Sequence, residues 1–286
     1  MSARRLRAHV LLLPLGLLTA AAGAIVIRHD RPDAAYRELA AAYPFCSLNL
    51  GGWGGGCTLI DAHWVVTAAH AAGRLEEGAR IEVGGESVRV AAVIVHPNFD
   101  DKSYRNDLAL LRLAEPVRDQ TPVALYKGRD EVGRRVIFVG RGYFGTGESG
   151  PDTADKVLRA AENRIEDAGE HWLRFVFDAP PDALEREGIS GPADSGGPAF
   201  LETEDGLALV GVSSWQDNRE QGTEGAYGVK EYYARVSSYV SWIEETFGGA
   251  RFALTRDARS RFPTSSPRRA PARGCWKRSP RAPPWW

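Results

Sequence analysis

At 286 residues, with 43% hydrophobic and 26% charged content, the chain has the makeup of an ordinary globular protein with room for a sizeable core. Its formal charge of −1 hides an uneven distribution: residues 1–24 carry three arginines and no acid, and residues 251–286 carry ten Lys or Arg against the single acid Asp257, which leaves 23 basic and 36 acidic side chains, about −13, for residues 25–250. A body of that sign repels a phosphate backbone, so nucleic acid is excluded as an expected partner.

The N-terminal "MSARRLRAHVLLLPLGLLTAAAGA" joins a basic start to an apolar run broken by Pro14 and ends in Ala22, Gly23 and Ala24, the small-residue pattern of a cleaved secretory leader. The run falls short of the roughly 20 residues of a membrane span. No stable membrane association is therefore expected after cleavage, and the body, residues 25–250, is expected to be secreted or periplasmic. Export permits disulfides, and the three cysteines, Cys46, Cys57 and Cys275, allow at most one internal pair. Between residues 43 and 235 come short β-type runs, among them "FCSLNL", "WVVTAA", "SVRVAAVIVH", "LALLRL", "RRVIFVG", "LALVGVSSW" and "YYARV", separated by Gly, Asp, Asn or Pro. Their number and close spacing predict an all-β sandwich or barrel rather than βαβ units. "RVSSYVSWIEETFG" then puts Val236, Tyr239, Val240, Ile243 and Phe247 at i, i+3, i+4, i+7 and i+11, which predicts a helix packed on the β body with Gly248 as its stop. From residue 251 onward Arg, Pro and Ser dominate with almost no periodic apolar face, which predicts a disordered basic tail carrying Cys275. That tail reads either as an electrostatic arm or as a dispensable extension.

Two glycine-rich stretches are candidates for chemistry. "GRGYFG", residues 140–145, matches G-x-G-x-x-G after a strand, but the "TGESGPDT" that follows cannot open the helix whose N-terminus would hold a pyrophosphate, so no dinucleotide cofactor is expected. "GPADSGGP", residues 191–198, has five Gly or Pro in eight and sets Ser195 on a tight loop, which by itself is a turn or a nucleophile. A serine hydroxyl needs a base, and the base needs a group that orients it. Among the six histidines, His70 closes "WVVTAAH", where a buried strand runs into small residues; His96 precedes Pro97 in what reads as a structural corner, and His29, His63 and His171 have no distinguishing neighbours. Asp107 opens the apolar "NDLALLRL", where a carboxylate near the core needs a partner; a strand cap is its other reading.

Taken in order, "WVVTAAH", "NDLALLRL", "DSGGP", "SSW" and "YVSWIEETF" resemble the chymotrypsin/trypsin family of serine peptidases over roughly residues 43–247. The resemblance implies two antiparallel six-stranded-type β-barrels with a C-terminal α-helix and the active site in the cleft between the barrels. It also implies an exported, monomeric serine endopeptidase that cleaves polypeptides through an acyl-enzyme, with no cofactor and no metal. On this chain it assigns His70 as general base then acid, Asp107 as the group fixing its tautomer, Ser195 as nucleophile, and the N–H groups of Ala193 and Ser195 as the oxyanion hole. Ser214 is then expected beside Asp107, with Trp215 and Gln216 on the edge along which an extended peptide pairs as a strand.

The chain also departs from the family. Ala193 replaces a glycine, which makes a left-handed backbone there costlier by about 1–2 kcal/mol. Ala71, Gly191 and Ser237 stand where family cysteines occur, and Cys46 and Cys57, placed symmetrically about Gly51-Gly52, are expected to face one another across a hairpin as a replacement disulfide. Ile189 occupies the position where trypsin-like members place an acid at the bottom of the specificity pocket. Glu231 falls near a second pocket position that is usually glycine, and either attracts a basic side chain or narrows the pocket; Gln216 also restricts entry. Cleavage after Ala24 would expose Ile25-Val26, whose ammonium would pair with Asp194 in the family's manner of activation; Ile27 and Arg28 follow where the family has two glycines, and a trimmed leader with an unrelated start is the other reading. An alternative function is a catalytically weak or silent homologue that binds peptides in the same cleft. An esterase on an α/β sheet is ruled out, because D-S-G-G-P is not G-x-S-x-G and Pro198 would break the helix such a site requires.

Overall fold

The computed structural model describes residues 25–50, 53–76 and 78–257; the expected leader, residues 1–24, the tail beyond residue 257 and Cys275 lie outside the described residues. The first half of the body folds into strands β1 (Val26–Ile27), β2 (Cys46–Leu50), β3 (Trp53–Asp61), β4 (Trp64–Thr67), β5 (Arg80–Val83), β6 (Glu86–Val95) and β7 (Ala109–Leu113). Helix α1 (Asp33–Ala40) precedes β2, and a single helical turn, α2 (Ala69–Ala72), follows β4. The second half supplies β8 (Ala124–Leu125), β9 (Arg135–Gly140), β10 (Phe144–Thr146), β11 (Gly150–Thr153), β12 (Arg159–Arg164), β13 (Asp167–Ala168) and β14 (Trp172–Val176). After these come β15 (Gly188–Ile189), β16 (Pro198–Thr203), β17 (Gly206–Asp217), β18 (Lys230–Arg235) and helix α3 (Val240–Asp257).

Six strands, in the order β2-β3-β4-β7-β6-β5, close into a barrel. Their side chains alternate as the pleat requires: Ile81 and Val83 of β5 and Val88 and Val90 of β6 face inward, while β7 is buried along almost its whole length. In the β2–β3 hairpin Cys46 stands opposite Cys57, and the two are joined by a disulfide with Cα atoms 4.9 Å apart. The second half forms a sheet in the order β12-β9-β16-β17-β18-β14-β13, with β8 beside β17. Its two ends are drawn together where Asn163 Nδ2 on β12 donates to the Val176 carbonyl on β14 at 3.0 Å, so the sheet curls toward a second barrel. Phe138, Phe175 and Tyr233 fill it, Phe138 lying edge-on to Phe175 with ring centroids 4.9 Å apart and stacked on Tyr233 at 4.7 Å.

The apolar "IVI" that begins the described chain is interior. β1 lies between β10 and β15, parallel to the first and antiparallel to the second, with Ile25, Val26 and Ile27 all buried. Helix α1 is held by the buried Arg159, which pairs with Asp33 of α1 and with Asp155 while its guanidinium sits 3.9 Å above the Phe144 ring. At the C-terminal end Tyr239 and Ile243 are buried, as the helical spacing predicts. The helix does not stop at Gly248, however, and runs on to Asp257, so residues 251–257, expected in a disordered tail, are helical. A glycine inside a helix costs only about 1 kcal/mol relative to alanine, and "ARFALTRD" is rich in good helix formers. Residues from Glu244 onward count as a separate unit of the chain.

Replacing Cys46 and Cys57 together by serine removes a cross-link between residues eleven apart and is expected to lower the unfolding free energy by about 2–3 kcal/mol. The drop is read as a lower urea midpoint, matched by the unmodified chain under reductant; an unchanged midpoint would rule out a stabilising role for the bridge.

Candidate active site

His70 sits on the single turn α2, where the end of buried strand β4 runs into the alanines of "TAAHAA". Asp107 precedes β7 and is fully buried. Its Oδ1 accepts the His70 backbone N–H at 2.9 Å, and its Oδ2 takes both His70 Nδ1 at 2.7 Å and the Ser214 hydroxyl at 2.5 Å. With Oδ2 as an acceptor against Nδ1, a neutral imidazole carries its proton on Nδ1 and leaves Nε2 as an acceptor. A tight turn aims it there: Asn106 has a left-handed φ of 56°, and Leu108 N donates back to the Asn106 carbonyl at 2.7 Å.

The loop carrying Ser195 is pressed against the same strand end. Gly196 N donates to the Ser213 carbonyl at 2.8 Å and Gly56 N to the Ser195 carbonyl at 2.9 Å. A Cβ on Gly196 would lie 2.1 Å from Thr67 Oγ1 and 3.0 Å from Ala68 N, so only glycine lets the loop come this close to the segment leading into His70. Among the described residues neither His70 Nε2 nor the Ser195 hydroxyl has a hydrogen-bond partner; contacts of this kind commonly tighten only with substrate in place.

Beside Ser195, the Asp194 side chain turns inward and is buried. It accepts backbone N–H groups from Gly142 at 2.6 Å, Gly191 at 2.9 Å and Ile25 at 3.1 Å. Burial pushes its carboxyl up to about 6, opposed by these donors. The first two glycines of "GRGYFG" now have a physical reason: a Cβ at Gly140 would meet Asp194 Oδ1 at 2.2 Å and one at Gly142 would meet Asp194 Cγ at 2.7 Å. They cradle a carboxylate of the protein itself. Ala193 adopts φ 71°, the left-handed conformation that a glycine would occupy without strain.

Of the residues assigned to specificity, Gln216 and Glu231 are brought together through Ser190, which the sequence analysis did not single out. Glu231 is buried and accepts the Ser190 N–H at 3.1 Å and the Ser190 hydroxyl; burial, with Asp194 and Glu224 nearby, pushes its carboxyl up to about 8. Gln216 spans two chain segments, donating from Nε2 to the Ser190 carbonyl at 2.5 Å and accepting Gly225 N at Oε1 at 3.1 Å. Ile189 lies elsewhere, paired with Val26 across β15 and β1 and packed among Val26, Phe177 and Val229. Trp215 is stacked on Tyr232 at 4.0 Å and meets the edge of Trp172. Sequence reasoning missed Tyr104, whose ring is edge-on to His70 with centroids 5.5 Å apart and whose φ is 55°. Its only signal was its place three residues before Asp107 in a polar loop.

No helix among the described residues is long and apolar enough to cross a membrane. The family model described as Trypsin matches residues 40–243. Kallikrein-15 of Saguinus oedipus is 31% identical over 216 residues, covering 67% of this chain and 80% of the relative. Trypsin 5G1 of Aedes aegypti is 29% identical, covering 68% of this chain and 75% of the relative, and a collagenase of Hypoderma lineatum is 29% identical, with 68% and 76% covered. The match begins after β1, at the last residue of helix α1, and covers the closed barrel, the second sheet and the segments that carry His70, Asp107 and Ser195, and the chain belongs to the trypsin family of serine endopeptidases.

Proposed function

We propose that His70, Asp107 and Ser195 carry out peptide hydrolysis through an acyl-enzyme, in a protein exported by its leader and comprising one peptidase domain over residues 25–250. The observation that carries this reading is the buried Asp107 carboxylate, with one oxygen on the His70 backbone and the other on His70 Nδ1 and Ser214. In this scheme Ser195 Oγ attacks the scissile carbonyl carbon as its proton passes to His70 Nε2, and the tetrahedral oxyanion is held by the N–H groups of Ala193 and Ser195. Collapse breaks the C–N bond, and the proton moves from Nε2 to the departing amine. Water then attacks the ester with His70 again as base, and the acid product leaves with Ser195 restored.

An extended substrate pairs along Trp215 and Gln216 at the edge of β17. Gln216, tied to both Ser190 and Gly225, closes the slot above Glu231, which favours a small side chain before the scissile bond. Glu231, holding its proton near neutral pH, polarises the slot without charging it. Activation follows from leader removal: a chain beginning at Ile25 would present an ammonium where the amide now meets Asp194. A catalytically weak peptide binder is the second reading, favoured by one observation, the strained φ of Ala193.

Ser195→Ala and His70→Ala are each expected to lower amide hydrolysis by about a thousandfold or more, and a fluorophosphonate probe is expected to label Ser195 in the unmodified chain. An unlabelled, folded protein would favour the peptide binder. Gln216→Gly is expected to shift a peptide-library profile toward larger side chains before the cut, and an unchanged profile would remove Gln216 from specificity. The pH dependence of stability tests activation. Asp194 is raised from about 3.8 to about 6, so its unpartnered form is stabilising below pH 4 and costs about 3 kcal/mol once pH passes 6. A chain starting at Ile25 is expected to lose less stability between pH 4 and pH 7 than one keeping the preceding residues, because the ammonium partners the carboxylate. Glu231 contributes equally to both and cancels; parallel urea-midpoint curves would sink the pairing.

A further inference from the structure

A cavity of about 390 Å³ opens at Ala193, and Trp215, Gln216 and Glu231 do not line it. Its walls come from the β2–β3 hairpin, which passes directly beside the nucleophile loop: Gly56 N donates to the Ser195 carbonyl, and a Cβ on Gly54 would lie 3.5 Å from the Ala193 carbonyl. Facing the hairpin are Arg141, Gly142, Tyr143 and Lys156. A substrate whose acyl half lies along Trp215 and Gln216 and whose scissile carbonyl sits at Ala193 N–H has its leaving half running toward this cavity.

The charges of the cavity are unbalanced. Of its lining side chains two are cationic, Arg141 and Lys156, and one is anionic, Glu82. This inverts the sign of the acidic body around it. Arg141 reaches Glu82 through a single contact, Nη1 to Oε1 at 3.3 Å, with both side chains substantially exposed, and its guanidinium is steadied 5.6 Å from the Phe45 ring. Its Nε is buried and has no hydrogen-bond partner among the described residues. Lys156 stands at a left-handed φ of 54° and makes no ion pair among the described residues. A partly exposed guanidinium and an ammonium lining one cavity favour an anionic group, which on a polypeptide is a carboxylate, and disfavour a second cation.

We propose that this cavity is a carboxylate-binding subsite on the leaving-group side, with Arg141 and Lys156 as the specificity-determining residues. It selects substrates that place an Asp or Glu side chain, or the terminal carboxylate of a short leaving fragment, within a few residues after the cut. The proposal rests on Ser195 being the nucleophile, which fixes the direction in which the leaving half runs. Glu82 is a competitor for the same guanidinium and holds the selectivity down.

The test is a set of internally quenched peptides identical up to the cut, carrying Asp, Ala or Lys at each of the next three positions, each made with a free acid and with an amidated C-terminus. Binding of the same peptides to the full chain with Ser195→Ala, read by fluorescence anisotropy, reports the preference without turnover. An acidic over neutral preference of about five- to tenfold in kcat/KM or in affinity is expected, weakening as salt rises. Preference for Asp regardless of the terminus identifies the side chain as the source; preference for the free acid regardless of sequence identifies the terminal carboxylate. Arg141→Gln combined with Lys156→Gln is expected to bring the acidic-to-neutral ratio to about one, and Glu82→Gln to raise it, an opposite sign that general disruption of the fold would not produce. Equal handling of Asp, Ala and Lys, or a preference that survives the double substitution, overturns the proposal. A protein that binds with the predicted charge preference but neither cleaves nor takes up the fluorophosphonate probe retains this subsite and overturns the reading of Ser195 instead.

Discussion

The arrangement depends on one buried carboxylate. Asp194 is removed from water at the meeting point of three chain segments, and burying an unpartnered carboxylate is costly by several kcal/mol. The backbone answers it with N–H groups from Ile25, Gly142 and Gly191. Each donor fixes a piece of structure. Gly142 brings in the turn after β9, which is why positions 140 and 142 have no room for a side chain. Gly191 folds the nucleophile loop back on itself, and Ile25 draws the start of β1 inward between β10 and β15. The left-handed Ala193, the proposed oxyanion donor, lies between two of these constrained points.

A second buried carboxylate organises the other side of the site. Asp107 belongs to the first barrel and Ser214 to the second sheet, so the Ser214 hydroxyl on Asp107 Oδ2 is a bond between the two β halves as well as a restraint on His70. The two acids are treated differently. Asp107 meets an imidazole that can share charge with it, whereas Asp194 meets only amides and has its carboxyl raised. A chain cut before Ile25 would give Asp194 the cationic partner that Asp107 finds in a protonated His70.

Specificity on the two sides of the scissile bond then rests on different physics. On the acyl side the proposed slot lies beneath a neutral amide, Gln216, and beside a carboxyl raised by burial, so in the proposed reading size is the discriminating property. On the leaving side the proposed subsite is open and cationic within an acidic body, so charge discriminates. Strands supply the acyl-side groups, Gln216 on β17 and Glu231 on β18, whereas the two cations of the leaving side, Arg141 and Lys156, stand on loops.

From the residues alone, the strand pattern, the apolar face of the terminal helix and the facing of Cys46 and Cys57 across a hairpin were legible, whereas His70, Asp107 and Ser195 were joined as a set only through the resemblance to a family. The first three are written in local features: alternation of period two, helical spacing, and cysteines placed symmetrically about a glycine pair. What the sequence left open is what depends on residues far apart in the chain. "GRGYFG" has the form of a phosphate loop until folding places a carboxylate from residue 194 against it, and Glu231 could equally have been an open anionic site until the Gln216 amide is seen bridging to Gly225 above it. The edge of Tyr104 on His70 and the gathering of Arg141 and Lys156 around one cavity with Glu82 of β5 leave no trace in local pattern, because loop side chains carry no periodicity and the alternation of a strand says only that Glu82 faces outward. Local sequence determined which segments are strands and which residues are chemically able; tertiary packing decided which of those residues meet, because burial and the partners it brings set the charge, reach and shape of every group in the site.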